Sequence, residues 1–263
     1  MTNVYEALQR ARKEGVREEP REPPAAVIER IPLGKREPPG NAAPFVKLRP
    51  VSFAYRLENC REAIETLLGR VLPRIEHDAN AVLHIVGAIP GAGTSTIARE
   101  FAFAAATAGN RETLLIDADL GARANARFFD CPPRVGLLDW VERPPLEFHG
   151  LQPVADSHLS VAALAGERHS LSMDGQDIRA VYELARKHFA LTVVDCPPVT
   201  GGHYMTLAPQ ESDGVLLVIQ AEKVRPAVVN RAKSLIGDAG GKIVGAVFNR
   251  RKDYVPRFIY DRL

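Results

Sequence analysis

From residue 81 onward, apolar positions bunch into short unbroken runs. Between the runs lie longer stretches in which apolar residues recur every three or four positions. The runs are AVLHIVGA (81–88), ETLLIDAD (112–119), LSVAAL (159–164), ALTVVDC (190–196), GVLLVIQ (214–220) and KIVGAVFN (242–249). Near-continuous apolar runs of this length predict strands buried on both faces, as in a parallel sheet covered by helices. The helical period predicts an amphipathic helix over 56–72, helices over 95–108, 174–188 and 225–238, and short helical pieces near 136–142. Strand–helix alternation of this kind predicts a three-layered, doubly wound α/β domain with a mainly parallel sheet. Ligands in such folds bind at the carboxyl ends of the strands.

The chain ahead of this domain is patterned differently. Residues 1–15 predict a short amphipathic helix, with Val4, Leu8 and Ala11 on one face and Gly15 as its stop. A helix of this length is marginal by itself and needs a partner surface. Residues 16–50 carry Pro20, Pro23, Pro24, Pro32, Pro38, Pro39, Pro44 and Pro50 with charges between them. Such a segment cannot bury enough apolar area to offset its ordering entropy, so it reads as an extended linker. The expected layout is helix 1–15, linker 16–50, domain 51–249 and tail 250–263. The tail has five basic residues against two acidic ones, a solvated face or a docking element for an acidic surface.

Composition changes this picture little. Apolar residues make up 46% and charged residues 25% of 263, as in ordinary globular chains. A net charge of +2 gives no argument for a nucleic-acid partner. Cys60, Cys131 and Cys196 are odd in number and form no CxxC pair, which favours a reducing cytoplasm over a disulfide or metal framework. The histidines show no metal spacing. The longest apolar helix segment, Phe101 to Ala108, is too short to span a bilayer, and the first residues lack the apolar core of a signal peptide.

Three strand ends carry the candidate chemistry. After VLHIVG comes Pro90-Gly91-Ala92-Gly93-Thr94-Ser95-Thr96, which opens a helix. Glycines let backbone N–H groups turn inward onto phosphate oxygens, the helix aims its N-terminus at the anion, and Ser95 offers a hydroxyl to Mg²⁺. Against the phosphate-loop pattern GxxxxGK[ST], Ala88 replaces the first glycine and Thr94 replaces the lysine. That lysine is a point charge on the phosphates; its charge-assisted bond is worth about 1.5–3 kcal/mol, or roughly 10- to 150-fold in affinity. Losing one donor aimed at developing charge costs about 10²–10³ in rate. The expectation is therefore retained binding with slow phosphoryl transfer. Asp117 and Asp119 end the strand LLIDADL, where carboxylates suit Mg²⁺, its waters or activation of an attacking hydroxyl. Asp195 ends LTVVDCPP and is the expected partner of Ser95 in holding Mg²⁺. Any one of these is an ordinary turn by itself; three in this order on strand ends point to a nucleotide site.

The order PGAGTST, LLIDADL, VVDCPPV and VFNRRKDYVP, with the opening VYEALQRAR, resembles the bacterial tyrosine kinases of capsule and exopolysaccharide synthesis. These kinases belong to the larger MinD/ParA-like phosphate-loop class. The resemblance implies ATP or ADP with Mg²⁺ as cofactors. It places the phosphates on the loop, the metal on Ser95, Asp117 and Asp195, Asp117 and Asp119 beside the transferring phosphate, and Asn249 and Arg250 near the adenine. It also implies a cytoplasmic protein, at the inner membrane through a membrane-embedded polysaccharide co-polymerase or export protein, a possible homo-oligomer, and no nucleic acid. The departures fall on kinase-specific features. Thr94 replaces the lysine; Glu62, Glu65 and Leu68 stand where a Glu-x-x-Arg-x-x-Arg assembly motif is expected; GARANA, with only Arg123, follows LIDADL; and the tail has only Tyr254 and Tyr260 in place of a tyrosine cluster. This pattern predicts a kinase-like regulator with weak or absent kinase activity. Two alternatives stay open: an active protein-tyrosine autokinase in which another basic group replaces the lysine, and a MinD/ParA-like localisation ATPase.

Overall fold

A computed structural model describes residues 53–75, 80–131, 136–142, 151–166 and 175–250, with backbone alone at 53–60, 140 and 142. The chain divides into two units, Met1–Phe45 and Val46–Leu263. The first unit, with the predicted helix 1–15 and most of the linker 16–50, lies outside the described residues, as does the tail beyond Arg250.

Seven strands form one sheet among the described residues: β1 (Ala81–Gly87), β2 (Thr113–Asp117), β3 (Gln152–Pro153), β4 (Leu159–Ala163), β5 (Leu191–Cys196), β6 (Gly214–Gln220) and β7 (Ile243–Asn249). Their order is β3-β4-β2-β5-β1-β6-β7. Every pair is parallel except β3 with β4. The six long strands are the six apolar runs. The two-residue β3 was not expected from the sequence, because Gln152–Pro153 has no apolar pattern and only the ladder to β4 makes it a strand.

Six α-helices lie among the described residues and cover the sheet: α1 (Phe53–Ile75), α2 (Thr94–Thr107), α3 (Ala124–Phe128), α4 (Leu138–Glu142), α5 (Gly175–His188) and α6 (Pro226–Asp238). Leu83, Ile85, Leu115, Val193 and Leu216 pack one sheet face on α1 and α2, whereas Val82, Val86, Leu114, Val194 and Leu217 pack the other on α5 and α6. This is the predicted three-layer architecture. Where the sequence pattern ends a helix at residue 72, α1 runs on through Pro73 to Ile75. The prolyl ring removes a helix hydrogen bond. Burial of Val71, Leu72 and Ile75 against the sheet offsets that cost. The alanines of α2, five of them buried, let this helix lie close on the sheet, which sets its first turn over the strand tips.

Below the sheet's α5 face, a buried polar chain ties β1 to the segment after β5. That segment carries short 3₁₀ turns at Val199–Gly201, His203–Leu207 and Pro209–Glu211. His84 of β1 is fully buried, with Nε2 2.8 Å from the Tyr182 hydroxyl and Nδ1 3.4 Å from the Tyr204 hydroxyl. The Leu207 carbonyl can only accept, so the Tyr182 hydroxyl donates there at 3.1 Å. His84 Nε2 then donates to Tyr182, and Tyr204 donates to Nδ1, which assigns the neutral tautomer. No helix among the described residues is long and apolar enough to cross a membrane.

Burial, with the Arg186 charge second, pushes the His84 imidazole down to about 3. Below its ordinary value near 6.5 the unfolded chain takes up a proton that the folded chain refuses, so stability falls as pH drops through that window. His84→Gln removes this titration. In urea unfolding at a series of pH values, the wild type should lose roughly 3 kcal/mol relative to His84→Gln between pH 7 and pH 4. Parallel decline of the two proteins would rule the assignment out.

Candidate functional site

The sheet order places the tips of β1, β5 and β2 side by side, and the loop from β1 to α2 arches over them. Its two inner glycines have left-handed backbones, φ 75° at Gly91 and 91° at Gly93, a region that disfavours any residue with a Cβ. Gly93 is required twice, because a Cβ there would collide with the Asn249 side-chain amide. Pro90 and Gly91 are exposed at the loop's tip, Ala92 is buried beneath it, and Gly93, Thr94, Ser95 and Thr96 are half-buried. Apart from Ala92, whose N–H closes a turn onto Ile89, the backbone N–H groups of Gly91 through Thr96 have no hydrogen-bond partner among the described residues. They sit at the N-terminus of a 14-residue helix, where partial positive charge accumulates. The Thr94 hydroxyl packs against the end of β1, with Oγ1 2.5 Å from the position a Cβ would take on Gly87.

Asp117 and Asp195 stand opposite each other in the β2–β5 register. Both are buried, and neither forms a salt bridge among the described residues. Asp195 Oδ2 accepts from Asn125 Nδ2 at 2.8 Å, whereas Oδ1 is enclosed without a partner of normal geometry. The Ser95 hydroxyl lies close enough to lower the Asp195 pKa somewhat. Burial first, and the Asp117 charge second, nevertheless push that carboxyl well above the ordinary range. Asp117 is also raised by burial. The opposing backbone N–H groups of Ala126, Asn125 and Asp119 hold it back, the Ala126 amide donating to Oδ2 at 2.7 Å. Asp119 is turned into its own loop, where Oδ1 accepts from the Gly121 and Ala122 amides at 3.1 and 3.0 Å.

Asn125 was not singled out in the sequence. It is fully buried and donates both to Asp195 and to the Ser95 carbonyl, at 3.2 Å, while its Oδ1 accepts from Arg99 Nη1 at 3.2 Å. It therefore fastens the loop helix to the β5 carboxylate. Arg99 in turn lies over the Phe128 ring, 4.0 Å from its centre. The available signal was the GARANA stretch, where one amide sits among small residues directly after LIDADL; only the fold shows that this amide reaches β5.

No three His, Cys, Asp or Glu side chains among the described residues converge as a metal cage. The donors present still fit Mg²⁺, which takes hard oxygen ligands, needs only one or two carboxylates and keeps other positions for water and phosphate. The enclosed, unpartnered Oδ1 of Asp195 beside a hydroxyl is such a donor set. Asn249, placed near the adenine by resemblance, is bound to the loop itself: its Nδ2 donates to the Ala92 carbonyl at 2.8 Å. Arg250 follows it, exposed at the end of β7.

No family model matches the chain. Tyrosine-protein kinase YwqD of Bacillus subtilis is 28% identical over 171 residues, covering 64% of this chain and 71% of that protein. Tyrosine-protein kinase CpsD of Streptococcus pneumoniae is 25% identical over 180 residues, 67% of this chain and 79% of its own length. Both of these relatives are bacterial tyrosine-protein kinases by name. The succinoglycan biosynthesis transport protein ExoP of Rhizobium meliloti, 26% identical, is matched over 76% of this chain but only 25% of its own. Among solved structures, the kinase domain of the Escherichia coli tyrosine kinase ETK superposes with a TM-score of 0.63 at 22% identity, covering 74% of this chain and 78% of that one. MinD of Pyrococcus horikoshii, complexed with Mg-ADP, gives 0.53 at 17% identity, over 69% and 76%. At these identities the structural likeness carries the fold alone: the mainly parallel sheet with its covering helices is that of the tyrosine-kinase domain and of MinD.

A carboxyl raised by burial costs the folded chain stability as pH rises above the ordinary value of 3.8, because the unfolded carboxyl ionises more readily. Asp195→Asn should therefore melt higher than the wild type at pH 7 without nucleotide or metal, by on the order of a few degrees. The difference should shrink toward pH 4. Scanning calorimetry at both pH values checks this; a lower melting temperature for the variant at pH 7 would show that the folded chain compensates the charge.

Proposed function

We propose that the chain is a kinase-like regulator of capsule or exopolysaccharide synthesis that binds ATP or ADP with Mg²⁺ and transfers phosphate slowly or not at all. The observation that carries this reading is the loop itself: free amides and two left-handed glycines are kept, but the side chain at the lysine position is a threonine packed on Gly87. The amides of Gly91 to Thr96 would bind phosphate oxygens, with Pro90 at the tip. Ser95 and Asp195 would hold Mg²⁺, with Asp117 beside them, and Asn125 keeps Asp195 in position. Bound there, Mg²⁺ would neutralise charge between the phosphates. Asp119, already engaged in its own turn, is poised to meet the nucleotide's distal end only if that turn opens.

The homologues' role in capsule and exopolysaccharide biosynthesis supports a membrane-embedded polysaccharide co-polymerase or export protein as the partner, and a cytoplasmic chain held peripherally at the inner membrane through it. The N-terminal residues 1–15 and the basic tail 250–263 are the proposed contacts, with 16–50 as the tether and 51–249 as the nucleotide-binding domain. Nucleotide then acts by binding one conformation of the regulator better than another.

Thr94→Lys tests the reading. Restoring the charge should tighten ATP–Mg²⁺ binding about 10- to 150-fold in calorimetry. Equal affinity for the two proteins would mean that the loop does not engage the phosphates.

A further inference from the structure

We infer that Arg250 supplies the positive charge that the phosphate loop has lost at Thr94. The inference rests on the nucleotide-binding reading above and assigns Arg250 a role different from the adenine contact that resemblance implies. Among residues 88–98 there is no lysine, arginine or histidine. The first cation of α2, Arg99, is buried over Phe128 and bonded to Asn125. Thr94 is neutral, and its hydroxyl lies against Gly87 at the end of β1.

Arg250 approaches the loop from the other side. Its position is fixed by its neighbour. Asn249 donates to the Ala92 carbonyl at 2.8 Å, and its own carbonyl accepts from Ala221 at 2.9 Å. The backbone at Arg250 then turns into the left-handed region, φ 58°, with its N–H on Asn249 Oδ1 at 2.9 Å. The side chain lies over Gly93, with Nε 4.0 Å from the position a Cβ would take there. Arg250 is exposed and forms no ion pair among the described residues.

A guanidinium beside the first turn of a helix is set against the positive end of the helix dipole. That placement is favourable only when an anion sits between them. The loop's unpartnered amides call for the same anion. Guanidinium is always charged and presents a planar fork that fits phosphate bidentately, so it can do from the loop's rim what lysine does from within it.

The test is a double-mutant cycle on the full chain, with ATP and Mg²⁺ titrated calorimetrically into the wild type, R250Q, T94K and the double variant. R250Q should weaken binding about tenfold or more, the scale of one charge-assisted contact. In the T94K background the same change should cost less than about threefold, because the lysine has taken over the phosphates. R250K should lose less than R250Q. Melting temperatures of all variants confirm folding. R250Q binding like the wild type overturns the inference, and so does an equal loss in both backgrounds, which would put Arg250 on the base or ribose. A wild type that binds no nucleotide overturns the proposed function along with it; binding that ignores R250Q overturns this inference alone.

Discussion

Two carboxylates facing each other from adjacent strand tips cannot both stay ionised in a dry interior unless something positive comes between them. Asp117 and Asp195 are in that position, and the surrounding structure is arranged about them. The Ala126 and Asn125 amides hold Asp117, the Asn125 side chain holds Asp195, and one oxygen of Asp195 is left without a partner. The close seat of the alanine-rich α2 supplies a helix N-terminus directly above. The site therefore offers room for a cation beside the carboxylates and an anion on the amides, the charge pattern of the magnesium–nucleotide complex proposed above.

Much of this was legible in the sequence. Parallel strands buried on both faces write themselves as unbroken apolar runs, so AVLHIVGA and GVLLVIQ gave strand, sheet type and the location of the strand tips together. PGAGTST could be placed on a strand–loop–helix for the same reason. What was not legible depends on contacts between segments far apart in the chain. Nothing in GARANA says that Asn125 reaches Asp195, 70 residues away. Likewise VFNRR does not say that Asn249 grips a carbonyl 157 residues earlier. The capture of Asp119 by the Gly121 and Ala122 amides was also not read from the sequence, although short acidic side chains make such turns readily.

The polar chain through His84 belongs to the same economy. A histidine in the middle of a buried interior strand would be costly without partners, yet each of its ring nitrogens meets a tyrosine hydroxyl. Tyr204 and Leu207 lie at opposite ends of one 3₁₀ turn, so the histidine and Tyr182 staple that turn at both ends. Thr200, earlier in the same segment, donates to the Ala88 carbonyl at 3.3 Å. The stretch following Asp195 is thus fastened to β1 below and to the start of the phosphate loop above.

Asn249 has a mechanical consequence. Its amide ties the crown of the loop to the last residue of the outermost parallel strand, and that residue is the threshold across which the polypeptide leaves the sheet. A displacement of Ala92 that keeps this bond moves the end of β7 with it. The crown of the loop and the end of β7 are in this way joined by one short lever.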